Sequence, residues 1–420
     1  SYLSGLKKLR WLNLYGTNTT DKGLSHLSGL KQLFFLNLGK TKITDKGLSH
    51  LSGLKNLKWL DLSTTAISSK GLAQIAKHHQ QLERLFLFWN KVDKAGMAHI
   101  GKLKNLQELR IVGSGIKNES LKHLSKLTKL RKLDLFEEKV GDAGLKHLSG
   151  LKRLRNLRLR STKVTDKGLK HLSNLEKLER LLLIRTKLQG EGLRHLTGLK
   201  NLKKIFLGAT KVSDEDLRHL SKLENLQEVE ITRTQIGDQG LYYLSKLKNL
   251  ERLDIRHTKV TDKGLSYVSG LKNLRYFRFS GEKIGLAGLR HLWGLKQLRT
   301  LDIGDMKFEE KDLTNLYRLK QIRLLYGTRH WVRKPSEKIE KGLPKCWFSF
   351  YGLLNPGVIN RDKKSESVNK SSSKSKKKTS TLKKLKKCFP AVSRNIEQFY
   401  NSEQYWDSYK DMEQDVSPFY

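Results

Sequence analysis

The sequence repeats itself at a fixed distance, and that distance leaves the chain few folds to choose from. The first leucine of a Leu-x-x-Leu-x-Leu segment falls at Leu9, Leu33, Leu57, Leu82, Leu106, Leu130, Leu154, Leu178, Leu202, Leu226, Leu250, Leu274 and Leu298, with Ile322 in the fourteenth place; every step is 24 residues except the 25 from Leu57 to Leu82. A unit this short cannot bury its own apolar face and must stack on its neighbours, so the constant period predicts a solenoid. Within a unit, Leu33-x-x-Leu36-x-Leu38 alternates as a short strand does, turning Leu36 and Leu38 inward and Phe35, Asn37 and Gly39 to the opposite side. Thr44 then suits a helix N-cap, with Asp45 in the first turn, where the helix dipole favours an acid. Leu48, Leu51 and Leu54 recur at i, i+3 and i+6 as one buried stripe that Gly53 can terminate, so five or six aliphatics close each coil. Strands stack about 4.8 Å apart and helices are wider, which bends such an array with its strands on the concave side.

These segments resemble the leucine-rich repeat family over residues 1–330, about fourteen copies in register. The resemblance implies an α/β fold: a right-handed horseshoe solenoid with a parallel concave sheet and short convex helices. It also implies a non-enzymatic scaffold that binds macromolecules on the concave face, without a cofactor. The Thr-Asp-x-Gly-Leu segment is similar to that of large bacterial repeat proteins and of F-box substrate receptors in SCF-type ubiquitin ligases. The second alternative needs an F-box upstream, since none stands in this sequence. Leu343-Pro344-Lys345-Cys346 is similar to the endings that close bacterial arrays, which makes residues 331–360 a C-terminal cap with Cys346 packed inside. The opening residues read as the tail of an earlier repeat, so an N-terminal cap is expected to be missing.

Charge is the second constraint. The formal net charge is +43, and residues 361–390 carry twelve Lys or Arg against two acids, so most of the excess lies on the repeats themselves. Such a field favours an acidic partner, whether protein, nucleic acid or another polyanion. Two cysteines cannot form a disulfide framework and lean towards a reducing, cytoplasmic setting, with secretion left open by the missing N-terminus. No apolar run approaches the roughly 18 to 20 residues of a membrane span.

Candidate contact residues come from the outward strand positions. Trp11, Phe35 and Trp59 occupy one such position in successive units, with Tyr15, Phe86, Phe88 and Trp89 beside them, and should form an aromatic ladder that a partner covers. Further along, the outward positions turn basic at Arg84, Arg158, Arg160, Arg180, Arg185, Arg233, Arg252 and Arg256. Acids such as Glu108, Asp134, Glu228, Glu230 and Asp254 interleave with them, so cross-strand ion pairs explain part of this face, and the stretch from Arg158 to Arg185 is a second contact surface. Thr17, Thr41, Thr65, Thr162, Thr186, Thr210, Thr234 and Thr258 follow the strands, where a hydroxyl can satisfy the turn. Glu138, Glu282 and Met306 depart from that column.

Catalytic and metal chemistry finds no foothold. The histidines at 26, 50, 123, 147, 171, 195, 219 and 291 recur at one repeat position without interleaved Cys or carboxylate, and His78-His79 has no further ligand nearby, so that pair is read as an irregularity of the 25-residue unit, with a local bulge. Gly39-Lys40-Thr41 mimics the end of a P-loop without its leading glycine. Residues 361–390 form a Lys/Ser-rich linker expected to be disordered. Residues 391–420, with six acids among their aromatics, resemble a docking peptide that could engage the basic face of its own or another copy.

Overall fold

In a computed structural model the inward leucines do what the alternation asks of them. Leu33, Leu36, Leu38, Ile43, Leu48, Leu51 and Leu54 of the second unit are all at most 2% exposed. The core therefore takes seven aliphatics per unit rather than five or six. The structure describes residues 3–280, 283–304, 316–327, 342–343, 346–350 and 353–354. All of them lie in the first of two units, Ser1–Val358 and Ile359–Tyr420. The expected basic linker and acidic tail, Glu282, Met306 and most of the expected cap fall outside the described residues.

Each unit contributes one strand. In order these are β1 (Trp11–Asn13), β2 (Phe35–Asn37), β3 (Trp59–Asp61), β4 (Arg84–Phe88), β5 (Glu108–Val112), β6 (Lys132–Asp134), β7 (Asn156–Arg158) and β8 (Arg180–Leu182). They continue as β9 (Lys204–Phe206), β10 (Glu228–Glu230), β11 (Arg252–Asp254), β12 (Tyr276–Arg278), β13 (Thr300–Asp302) and β14 (Leu324–Gly327), then β15 (Trp347–Phe350) and β16 (Leu353–Leu354). The strands form one open sheet in sequence order. Pairing is parallel up to β15, but β16 returns antiparallel on β15, Ser349 opposite Leu354, so the sheet is not parallel throughout. Beside this edge, burial pushes the Cys346 thiol up to about 12, which keeps it protonated and unreactive.

The return segments are short helices, as expected, and only some of them are α-helical. Several are short α-turns, such as Asp166–Leu169, and others are 3₁₀ helices, among them Gly47–Leu51, Asn118–Lys126 and Glu191–Leu196. The leucine spacing accounts for this: i, i+3, i+6 is the period of a helix with three residues per turn, which puts Leu48, Leu51 and Leu54 on one line.

Three side-chain ladders run along the array; the first closes the turn within a unit and the other two join successive units. Where a threonine follows the strand, its hydroxyl donates to the carbonyl three residues back, as in Thr41 to Leu38 at 2.6 Å, Thr162 to Leu159 at 2.7 Å and Thr234 to Ile231 at 2.7 Å. The residue before it is left-handed although it is mostly not glycine: Lys40, Thr64, Trp89, Glu137, Ser161, Arg185, Ala209, Arg233 and His257 have φ between 53 and 59°. That conformation costs about 1 to 2 kcal/mol for an L-residue. An N–H bond to the next rung offsets it, as in Lys40 to Ser63 at 2.8 Å and Arg185 to Gly208 at 2.9 Å. At the strand entry, asparagine amides donate to the preceding unit's carbonyls, Asn56 to Lys31 and Asn273 to Lys248, both at 3.0 Å.

The third ladder explains Thr-Asp-x-Gly-Leu. Asp21 accepts the Thr44 N–H at 2.8 Å and the Thr44 hydroxyl at 2.6 Å, one repeat later, and Asp142 with Thr165 and Asp238 with Thr261 repeat the arrangement. Thr44 in turn accepts from the Lys46 N–H at 3.3 Å, but the 3₁₀ helix there begins only at Gly47 and has no side-chain cap; the expected cap is made at Thr165, which accepts the Lys167 N–H at 3.3 Å at the start of Asp166–Leu169. The aspartate is therefore engaged across the repeat junction rather than only placed in the dipole of its own turn. The glycine leaves room for it: a Cβ on Gly47, Gly168, Gly264 or Gly288 would run into the carboxylate of the preceding repeat.

The 25-residue unit absorbs its extra residue in the longest α-helix, Ser69–His78, rather than in a bulge. His79 then fills the core place that Leu54 and Leu103 hold in the flanking units, and it is 1% exposed with Nδ1 unpartnered. Burial, helped by the charge of Lys55 and by His78, pushes it down to about 4.

Two measurements check these packing arguments. Gly264→Ala in an exposed helix would normally stabilise by roughly 0.5 to 1 kcal/mol; here it should destabilise in urea unfolding, and the penalty should shrink in an Asp238→Ala background. Parallel effects in the two backgrounds would refute the steric link. For His79, the unfolded chain takes up the proton near 6.5 and the folded chain only near 4, so stability should fall as pH drops through that window, by about 3 kcal/mol in all. The curve of His79→Leu should be correspondingly flatter, and an unchanged slope would exclude His79 as its source.

Candidate functional site: the sheet face

Parallel pairing in constant register brings residues 24 apart side by side, so the outward strand positions form columns across the sheet. Trp11 pairs with Phe35 and Phe35 with Trp59, as the spacing requires. The rings touch in sequence: Trp11 stacks on Phe35 at 4.9 Å, Phe35 meets Trp59 edge-on at 4.6 Å, and Trp59 meets Phe86 edge-on at 5.5 Å. Phe86 in turn stacks on Phe88 at 6.1 Å. Arginines cap the far end, Arg84 over Trp59 at 5.0 Å and Arg110 over Phe86 at 4.9 Å.

This close packing changes which rings a partner can reach. Phe35 and Phe86 are only 5% and 3% exposed, so these two expected contact residues support the ladder from beneath and are not open surface. Trp59 and Phe88 are half-buried. Trp11, Tyr15 and Trp89 are 47, 55 and 57% exposed. Two glycines seat the last pair: Tyr15 lies against Gly39, where a Cβ would come within 2.9 Å of its ring, and Trp89 lies across Gly113, where a Cβ would collide with it. Composition at those two positions was the signal in the sequence, and it is readable only once the strand register is known.

The basic residues divide differently from the expectation. Arg158 is buried and lies 3.5 Å from Asp134, so it is part of the sheet's own packing. Arg110 and Glu108 are likewise buried against each other at 2.6 Å. Arg256 grips Asp254 through two nitrogens, with Nη2 to Oδ2 at 2.7 Å. Arg252 lies 3.6 Å from Glu228 and 4.5 Å from the Tyr276 ring, which burial pushes up to about 12. Arg84 reaches Glu108 at 4.0 Å. Arg160 and Arg180 stack on Phe136 and Phe206 at 5.0 and 4.8 Å. Arg185 and Arg233 are exposed, held out on the left-handed turns. Glu138, which replaces a ladder threonine, is buried and accepts the Ser114 N–H at 2.9 Å; burial pushes its carboxyl up.

Among the described residues no three His, Cys, Asp or Glu side chains gather as a metal site requires, and no helix is long and apolar enough to cross a membrane. The face offers rings, guanidinium groups and hydroxyls on a fixed lattice. That is binding chemistry, spread over an open sheet.

Comparison with known proteins agrees with this architecture. A family model described as a leucine-rich repeat region matches residues 1–165, and a leucine-rich repeat model matches residues 222–245 and 246–269. Among solved structures, an internalin of Listeria monocytogenes is similar at 25% identity and a TM-score of 0.58, over 73% of this chain and 83% of that one. A leucine-rich repeat protein of Leptospira interrogans is similar at 22% identity and a TM-score of 0.51, over 83% of this chain and 97% of that one. No curated protein sequence matches. The period, the single open sheet built one strand per unit, the Thr and Asn ladders and the matching family models together make this chain a leucine-rich repeat protein.

Proposed function

We propose that this protein is a non-enzymatic scaffold that binds a protein partner on its sheet face, with the aromatic ladder as the principal contact. Leucine-rich repeat arrays serve in general as interaction scaffolds, and the observation that carries the finer reading is the layering of the ladder. Phe35 is sealed beneath Trp11, Phe86 is sealed beside Trp59, and Gly39 and Gly113 seat Tyr15 and Trp89, so Trp11, Tyr15 and Trp89 stand as exposed rings held in place. Rings held in place lose little conformational freedom on binding, so more of the contact energy appears as affinity. Large aromatic residues are also the commonest anchors of protein interfaces.

The test separates the tiers. Affinity capture with the full chain from its source cells, with and without nuclease, identifies the partner. The Trp11→Ala/Tyr15→Ala/Trp89→Ala variant should then weaken its binding by about a hundredfold or more while leaving the unfolding midpoint nearly unchanged. Phe35→Ala should instead destabilise the fold by about 3 to 5 kcal/mol. A partner that binds the triple variant as tightly as the parent refutes the ladder as the contact, and capture abolished by nuclease would place nucleic acid in the partner's role.

A further inference from the structure

Three adjacent strands in the middle of the sheet differ from everything on either side. Reading outward positions across β7, β8 and β9 gives Asn156, Arg158 and Arg160, then Arg180, Leu182 and Ile184, then Lys204, Phe206 and Gly208. No carboxylate stands among them, whereas the flanking strands bring Asp134 on β6 and Glu228 and Glu230 on β10. The middle of the patch is apolar: Leu182, Ile184 and Phe206 are half-buried on the outer side, while Leu181, Leu183, Ile205 and Leu207 are sealed in the core.

Cations frame this apolar centre. Arg180 lies over Phe206 and Arg160 over Phe136, and this stacking holds both guanidinium groups in place. The Arg160 Nε is buried and has no hydrogen-bond partner. At the strand ends Arg185, Lys163, Lys187 and Lys211 are exposed. The acids at the border are mostly occupied. Asp134 faces Arg158 at 3.5 Å, and Glu228 lies between Lys204 at 2.9 Å and Arg252 at 3.6 Å. Glu230 accepts the Thr232 N–H through Oε1 at 3.0 Å, while its Oε2 is buried beside Gly208 without a hydrogen-bond partner, and Glu137 is exposed on the turn after β6.

We propose that this patch binds an extended acidic peptide, whose aliphatic or aromatic side chains rest on Leu182, Ile184 and Phe206 while its carboxylates meet Arg160, Arg180, Arg185 and the neighbouring lysines. Three strands span about 10 Å, the width of a single extended segment. A single-stranded nucleic acid fits less well, because it stacks its bases on open aromatic faces. Here the Phe136 and Phe206 faces are already covered by arginine, and the centre is aliphatic. The inference rests on the reading of the sheet face as a binding surface, but it uses no residue of the aromatic ladder.

Fluorescence anisotropy on the full chain tests it. The probe is a short fluorescein-labelled peptide that alternates glutamate with leucine and phenylalanine; its glutamine counterpart and a labelled oligothymidylate run beside it. The acidic peptide should bind at least about tenfold more tightly than the glutamine version, and Arg185→Glu/Lys187→Glu should weaken it by about tenfold or more. Leu182→Ser should weaken it as well. Charge reversal elsewhere, at Lys46→Glu/Lys263→Glu, should leave it within about twofold, as should Trp11→Ala/Trp89→Ala. Equal binding of the two peptides, or equal loss in both charge-reversal variants, would reduce the effect to bulk charge and overturn the proposal. Loss in the tryptophan variant would move the site to the ladder, and tighter, Arg185-dependent binding of oligothymidylate would make the patch a nucleic-acid surface.

Discussion

The aspartate that many of the helical turns present to the next repeat is the interaction on which the rest of the architecture depends. Its two oxygens take the N–H and the hydroxyl of one threonine, as Asp142 does with Thr165, and so fix both the distance and the stagger between successive units. Stagger is what places Trp11 opposite Phe35 and Asn156 opposite Arg180. The glycine of the same motif has to be glycine because the neighbour's carboxylate occupies its Cβ space. Leucines supply most of the favourable energy of burial, but they would tolerate sliding. The carboxylate would not.

Much of this was legible in the chain itself, because the relevant signals are local or strictly periodic. Inward leucines follow from alternation, and the threonine column follows from a hydroxyl that recurs after most strands. Accessibility on the outer face was harder to read. Phe35 looks exposed in sequence and is covered by the rings of Trp11 and Trp59, each a full repeat away. Arg158 looks like a free cation and is buried beside Asp134. Both outcomes are decided by lateral neighbours, and lateral neighbours require the register. The left-handed turns were hidden for another reason: Lys40, Arg185 and Arg233 occupy positions where glycine would be the usual signal, and hydrogen bonds to the next rung sustain the backbone instead. His79 was hidden too, since nothing in a histidine pair announces that one member replaces a core leucine.

Seen across its width, the outer face is divided by chemistry while the inner face stays uniform. Aromatic rings occupy the first four strands. Paired charges such as Arg110 with Glu108 come next, then an apolar centre with stacked arginines on β7 to β9, then a second set of pairs around Glu228, Asp254 and Asp302. The buried ion pairs add little net stability, because desolvation offsets much of their attraction. What they do is engage those side chains with one another, so strips of paired charge separate the aromatic zone from the apolar one.

The inter-repeat ladders join a unit only to its immediate neighbours, whether through Asp21 and Thr44, Asn56 and Lys31 or Lys40 and Ser63. A chain linked in this way is a series of springs. Tension applied between the two ends of the array passes through every junction in turn, and among the described residues none of these ladders skips a unit to carry it around a weak one. The compliances of the junctions therefore add, the weakest junction yields first, and extension can be released one repeat at a time.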